Sequence, residues 1–258
     1  MVKLGPGAES AGHRLEHVAE IGSTNASLFE RARRGETGPL WLVADVQTSG
    51  RGRNTRSWTS PPGNLYASLL LTDPAPAPHI AELSFVLSLA LRDAVLAAAH
   101  LYDDPTVKLK WPNDLMVDGH KSAGLLLEGG QLGRLPFVVA GFGVNIVSHP
   151  EGTTHKATHL QAAGHVVDRD SLAAALTDAI ATRLALWERG ANFARIRKDW
   201  LAVAYGLNRP LRVNTLSESF EGIFESVDEI GRLVVATGGG QRIVSAGEVF
   251  ILPAPDGV

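Results

Sequence analysis

The chain predicts an α+β fold: a mixed, largely antiparallel sheet packed with helices, followed by a small β-barrel. Three observations carry this. Residues 107–146 read as consecutive strand runs joined by turns, the first turn being Asp118-Gly119, a strong two-residue hairpin signal. Two long helical patterns, at 80–101 and from Asp170-Ser171, supply apolar faces to cover such a sheet. From Leu207 the pattern changes to short strand-like runs between turns, as a small barrel reads.

Residues 1–12 are rich in Gly, Ala and Ser and are expected to form a flexible tail. Residues 13–21 alternate weakly (Leu15, Val18, Ile21) as a first strand. Ser23 or Thr24 can cap a following helix with Leu28 and Ala32 on one face, and Gly35 stops it. Apolar runs at 40–46 and 65–71 read as strands, the second alternating Leu65, Ala67, Leu69 and Leu71. A proline-rich link at 74–78 leads into the helix at 80–101. Beyond the Asp118-Gly119 turn, a return strand covers 120–128, Gly129-Gly130 marks a second turn, and a third strand covers 135–146. The helix from 170 carries Leu172, Leu176, Ile180, Leu184 and Trp187 on one side, and a second helix covers 193–204. The last runs are 211–215, 220–227, 233–236, 243–244 and 249–252. A boundary near 206 divides a larger domain, 13–206, from a small one, 207–258.

With 258 residues, 45% hydrophobic and 20% charged, the chain is an ordinary globular protein able to bury a real core. A net charge of −3 argues against a polyanion binder, so neither DNA nor RNA is an expected partner. The absence of cysteine excludes disulfides, thiolate catalysis and cysteine-ligated zinc. No secretory signal and no apolar span is legible, so a cytoplasmic protein without membrane contact is expected.

Between the strands at 40–46 and 65–71, residues 48–63 have no hydrophobic period. This stretch holds Gly50-Arg51-Gly52-Arg53-Asn54-Thr55-Arg56-Ser57-Trp58. Arginine suits bidentate contact with phosphate or carboxylate, glycine lets backbone approach a ligand, and indole is a flat lid. An anion-binding loop fits these residues; so does a basic loop that only faces water.

The hairpin gives a spatial prediction. With Asp118-Gly119 as a two-residue loop, Val117 pairs with His120 and Met116 with Lys121, making Asp114 and Lys121 diagonal neighbours on one face. Such a pair can be a site or merely a surface ion pair worth about 0–1 kcal/mol. His149, His155, His159 and His165 cluster in a polar stretch without a carboxylate at ligand spacing, which argues against a metal centre. No Walker loop, complete dinucleotide fingerprint or nucleophile elbow is present.

Taken together and in order, the remaining blocks resemble the biotin protein ligases. They are Ser23-Thr24-Asn25, Gln47 with Gly50-Arg51-Gly52-Arg53, Lys110-Trp111-Pro112-Asn113-Asp114-Leu115, Lys121-Ser122-Ala123-Gly124, and Gly141-Phe142-Gly143-Val144-Asn145. The resemblance runs from about Gly22 to the C-terminus. It implies a class II synthetase-like catalytic domain, shared by biotin and lipoate ligases, followed by a Src-homology-3-like barrel. The implied reaction joins biotin to ATP as biotinyl-5′-adenylate and then passes biotin to a lysine of a carboxylase carrier domain. Biotin and ATP are then substrates, Mg²⁺ accompanies ATP, and no permanently bound cofactor is implied.

The resemblance also assigns residues. Ser23, Thr24 and Gln47 match contacts to the ureido ring, and Asn25, Gly52, Gly124 and Gly141 belong to the same biotin site. Arg51 and Arg53 match the biotin carboxylate and phosphate side, and Lys121 the lysine bridging carboxylate and α-phosphate. Asp114 is the implied Mg²⁺ contact, or the helper that deprotonates the incoming lysine. Arg56, Trp58, Asn113 and Asn145 fall on the nucleotide side with Arg51, Arg53 and Lys121, Trp58 near the adenine. Two departures stand out. The family's loop often reads Arg-Gly where this chain has Asn54-Thr55, which puts loop ordering and nucleotide affinity in question. The DNA-binding domain of some members has no counterpart here, so a monofunctional enzyme rather than a repressor is implied. A lipoate or octanoate ligase is the nearest alternative, and Ser23, Thr24 and Gln47 argue against it.

Overall fold

The computed structural model describes residues 2–152 and 156–253. Its elements in order are α1 (Pro6–Ser10), β1 (Arg14–Ile21), α2 (Thr24–Arg33), β2 (Leu40–Gln47), β3 (Leu65–Thr72), a 3-10 turn (Ala77–Glu82), α3 (Leu83–Ala98), β4 (Val107–Lys110), β5 (Asp114–Val117), β6 (His120–Leu132), β7 (Leu135–Val144), α4 (Arg169–Trp187) and α5 (Phe193–Ala202). Then follow β8 (Pro210–Asn214), β9 (Ser219–Val227), β10 (Leu233–Thr237), β11 (Gly240–Val244) and β12 (Glu248–Ile251). The first seven strands form one sheet in the order β1-β2-β3-β7-β6-β5-β4. Among the described strands only β1 and β2 pair in parallel, so the sheet is mixed and largely antiparallel as expected. The last five form a separate antiparallel sheet, the expected Src-homology-3-like unit. Among the described residues no helix is long and apolar enough to cross a membrane.

Strand alternation decides which face each layer covers. Leu40 and Leu42 of β2, Leu70 of β3, and Phe137 and Val139 of β7 pack with Leu28 and Ala32 of α2. Trp41, Val43, Leu69, Leu71 and Val138 point the other way, into the main core with α3, α4 and α5. Helix α2 is short and its N-terminus stops part-way across its face of the sheet. Beyond it the same face carries Ser68, Gly141, Gly143, Gly124 and Leu126, small or sparsely spaced residues that leave a cavity.

Three expectations are corrected. The N-terminal residues are not a loose tail. Val2 and Ala8 are buried, the Gly5 N–H donates to Thr177 Oγ1 (2.9 Å) and the Ala8 N–H to Asp178 Oδ1 (2.9 Å), which docks α1 on α4. Gly129-Gly130 is not a turn, because β6 continues to Leu132. A Cβ on Gly130 would lie 2.3 Å from Phe137 Cζ, so this glycine admits an aromatic ring rather than bending the chain. Nor is the 48–63 stretch structureless. Arg51 and Ser57 form a bridge, Gly52 N–H donates to Arg56 O (2.7 Å) and Trp58 N–H to Gly50 O (2.9 Å), a small hairpin within the connection from β2 to β3.

Candidate active site

All the sequence-predicted site residues face one cavity of about 370 Å³: Ser23, Thr24, Asn25, Gln47, Arg51, Gly52, Arg53, Arg56, Trp58, Asn113, Asp114, Lys121, Gly124, Gly141 and Asn145. That size lies in the range of small-molecule sites. Its two ends differ in chemistry.

The first end is neutral and built on the start of α2. Ser23 caps the helix, accepting the Ala26 N–H at 3.3 Å, which fixes Thr24 and Asn25 in the first turn. The Thr24 N–H donates to Gln47 Oε1 (2.9 Å), with Thr24 Oγ1 3.0 Å from the same oxygen. Gln47 Nε2 donates to Ser60 Oγ (3.1 Å). Ser68 Oγ lies 2.7 Å from Thr24 Oγ1 and 2.6 Å from Asn25 Oδ1. A hydroxyl carries one proton. Two hydroxyl protons therefore serve three close contacts. Gly141 makes this end possible, since a Cβ there would sit 2.3 Å from Asn25 Oδ1. Sequence reasoning missed Ser68, which shares its strand face with two other hydroxyl-bearing residues, Tyr66 and Thr72, and so gave no distinguishing signal.

The second end is charged. The register at the Asp118-Gly119 hairpin is as expected, with Val117 opposite His120 and Met116 opposite Lys121, but a bulge follows at Leu115/Met116. Asp114 Oδ1 is 2.5 Å from Lys121 Nζ, an ion pair that is mostly buried rather than a surface contact. Lys110 is buried beside them. Burial holds its ammonium below the usual range, opposed by Asp114 and reinforced by Lys121. Arg53 donates to Asn113 Oδ1 (3.1 Å) and Gly247 O (3.2 Å), and burial likewise depresses it while Asp114 opposes. Asn113 thus orients an arginine, its own amide donating to Leu125 O (2.5 Å). Arg56 makes a bidentate pair with Glu248 of β12 at 2.6 and 2.9 Å, so the second sheet helps to hold the loop. Glu248 and Gly247, nearly two hundred residues along the chain, were not legible as site residues. Asn145 lines the cavity and donates to Thr158 O (3.1 Å), bracing the neighbouring segment.

Trp58 lies where the two ends meet. Gly124 and Gly143 face each other across β6 and β7, and a Cβ on Gly143 would come within 2.5 Å of the indole. The glycines make a flat floor under the ring, whose centroid is 5.5 Å from Lys121 Nζ. Among the described residues its buried Nε1–H has no acceptor. In the loop above, Asn54 and Thr55 take positive φ (53° and 60°), a region costly for a β-branched residue, which gives the departure at Asn54-Thr55 a physical meaning. His149 Nδ1 is 2.7 Å from His159 Nδ1, His155 lies outside the described residues, and no group of three or more metal-ligating side chains occurs among those described.

Both parts of the chain are similar to known proteins. Residues 19–145 match the family model described as "Biotin/lipoate A/B protein ligase family", and residues 206–252 match "Biotin protein ligase C terminal domain". A biotin–[acetyl-CoA-carboxylase] ligase of Paracoccus denitrificans is 36% identical over 90% of this chain and 98% of its own. The chain belongs to the biotin protein ligase family. A second such ligase, from Mycobacterium tuberculosis, is 36% identical over 95% of this chain and 92% of its own. Among solved structures, the biotin protein ligase of Aquifex aeolicus in complex with biotin and ATP superposes with a TM-score of 0.78 at 24% identity, covering 93% of this chain and 99% of that one. Biotin protein ligases therefore share this fold across both sheets.

Proposed function

We propose that the cavity carries out both halves of ATP-dependent protein biotinylation. The observation that carries this is one continuous cavity with a neutral hydrogen-bonding end and a cationic end joined at Trp58. Buried neutral polar groups suit an uncharged ureido ring, which needs paired donors and acceptors once out of water. Ser23, Thr24, Asn25, Gln47 and Ser68 take that ring. Gly124 and Gly141 give room for Trp58 and Asn25 beside it, and its valerate runs past them towards Lys121 and Arg53.

At the charged end a biotin carboxylate oxygen attacks the α-phosphorus of ATP, the bond to the β-phosphate oxygen breaks, and pyrophosphate leaves. Negative charge builds on the α-phosphate oxygens. Lys121 and Arg53, brought from two separate segments, neutralise it, and their fixed placement avoids reorganisation in the transition state. Arg56, Asn113 and Asn145 border the nucleotide, with Trp58 against the adenine. A Mg²⁺ ion accompanying ATP fits Asp114, since one carboxylate plus phosphate oxygens is a usual share for that metal, and it would offset phosphate charge. Loop 48–63 covers the mixed anhydride and shields it from water. In the second half the amine of a carrier-domain lysine attacks the acyl carbon and AMP leaves, with Asp114 placed to take the amine's proton. The acceptor is the carrier domain of an acyl-CoA carboxylase, the compartment is the cytoplasm, and the catalytic domain ends near 206.

Exchange of labelled pyrophosphate into ATP tests the reading. Biotin-dependent exchange is expected. Exchange that requires lipoate instead would make this a lipoate ligase, and no exchange with either acid would refute adenylation.

A further inference from the structure

Glu128 lies outside every role given so far. It follows Gly124 and Leu126 on the cavity face of β6, one pleat beyond the lining, at the neutral end. A single carboxylate oxygen, Oε2, accepts from Asn25 Nδ2 at 2.9 Å and from the Arg51 guanidinium at 2.6 Å. Asn25 is buried at the start of α2, and Arg51 is the first residue of the small loop hairpin. The carboxylate therefore ties the floor of the sheet, the ring-binding helix turn and the covering loop together at one point. An unpaired carboxylate beside a neutral ligand would be unfavourable, and Arg51 cancels it.

Given the biotin reading above, we propose that Glu128 is a positioning residue whose pair with Arg51 clasps the loop over the ring end, so that biotin leaves only when the clasp opens. It touches neither reacting atom. Its effect belongs to ligand retention and not to the chemical step.

The test measures dissociation of radiolabelled biotin beside single-turnover adenylate formation at saturating biotin and ATP. Glu128→Gln keeps the shape and an acceptor for Asn25 but removes the charge. It should release biotin about three- to tenfold faster, the modest size expected for a partly exposed charge-assisted pair, with adenylation within about twofold of the parent. Glu128→Asp, which keeps the charge, should recover part of the retention. The double variant Arg51→Ala/Glu128→Gln should release no faster than Arg51→Ala alone, because the two act through one contact. Parental release from Glu128→Gln, or slowed adenylation with unchanged release, would overturn the clasp. Failure of the parent itself to bind biotin would instead overturn the reading of the site, and the clasp with it.

Discussion

The two ends of the cavity are built by opposite means. At the neutral end, Thr24, Asn25, Gln47 and Ser68 are locked by short hydrogen bonds to one another and sit on regular structure. At the charged end, Arg53 and Arg56 stand on a loop held by Asn113, Gly247 and Glu248, while Lys121 and Asp114 come from a hairpin with a bulge. On the proposed reading, the difference gives each end its own task. A rigid, neutral network selects by shape and pairing, because a mismatched ligand leaves buried polar groups unpaired. A charged end assembled from separate segments can act on phosphate and then let products go.

Variants at each end should break that division in different ways. Lys121→Ala carries the largest effect: adenylation slower by about 10²–10³, the usual loss for one transition-state donor. Rapid-quench kinetics reads it, and biotin affinity should move far less. Next is Arg53→Gly, which should let biotinyl-adenylate escape about tenfold faster, as one charge-assisted contact is lost; release from the preloaded enzyme measures it. Thr24→Val at the neutral end should weaken biotin binding by up to about tenfold, one neutral hydrogen bond, while leaving the rate at saturation near the parental value. Equal effects of Thr24→Val and Lys121→Ala on that rate would erase the distinction between the ends.

The smallest expected effect lies outside the cavity and serves as a control. The Trp41 indole N–H donates to His13 Nδ1 (3.0 Å), so that nitrogen must be unprotonated. Burial pushes His13 below its ordinary value of 6.5, with Asp178 pulling the other way. A folded-state pKa depressed in this way means that the unfolded chain takes up the proton first. The stability is therefore present above about 6.5 and lost as pH falls through that value towards the folded one. Thermal midpoints should drop by about 1–2 °C more in the parent than in His13→Gln between roughly pH 7 and pH 5.5. Adenylation chemistry at the charged end should not differ between the two.

How much of this was legible in the sequence varied with the range of the interaction. The Asp114–Lys121 pair followed from Asp118-Gly119, because a two-residue turn sets register within a few residues; the bulge at Leu115/Met116 left no mark in composition. The α2 cap was readable as Ser23 or Thr24 for the same local reason, and the structure takes Ser23. Gly129-Gly130 misled because glycine serves both turns and close approach, and only the position of Phe137 separates the two. Glu248 could not be read at all, since its meeting with Arg56 depends on how the second sheet sits against the first. The tail at 1–12 was misjudged because its hold on α4 uses backbone donors that no side-chain pattern displays.

The central claim is that cations from the loop and from the hairpin act on one phosphorus atom. A crystal structure with a non-hydrolysable biotinyl-adenylate analogue tests it most directly. The account predicts the ring against Thr24 and Gln47, with Lys121 Nζ and the Arg53 guanidinium both about 2.7–3.1 Å from oxygens of the same phosphate. A phosphate held by only one of them, or a ring bound away from the start of α2, would contradict it.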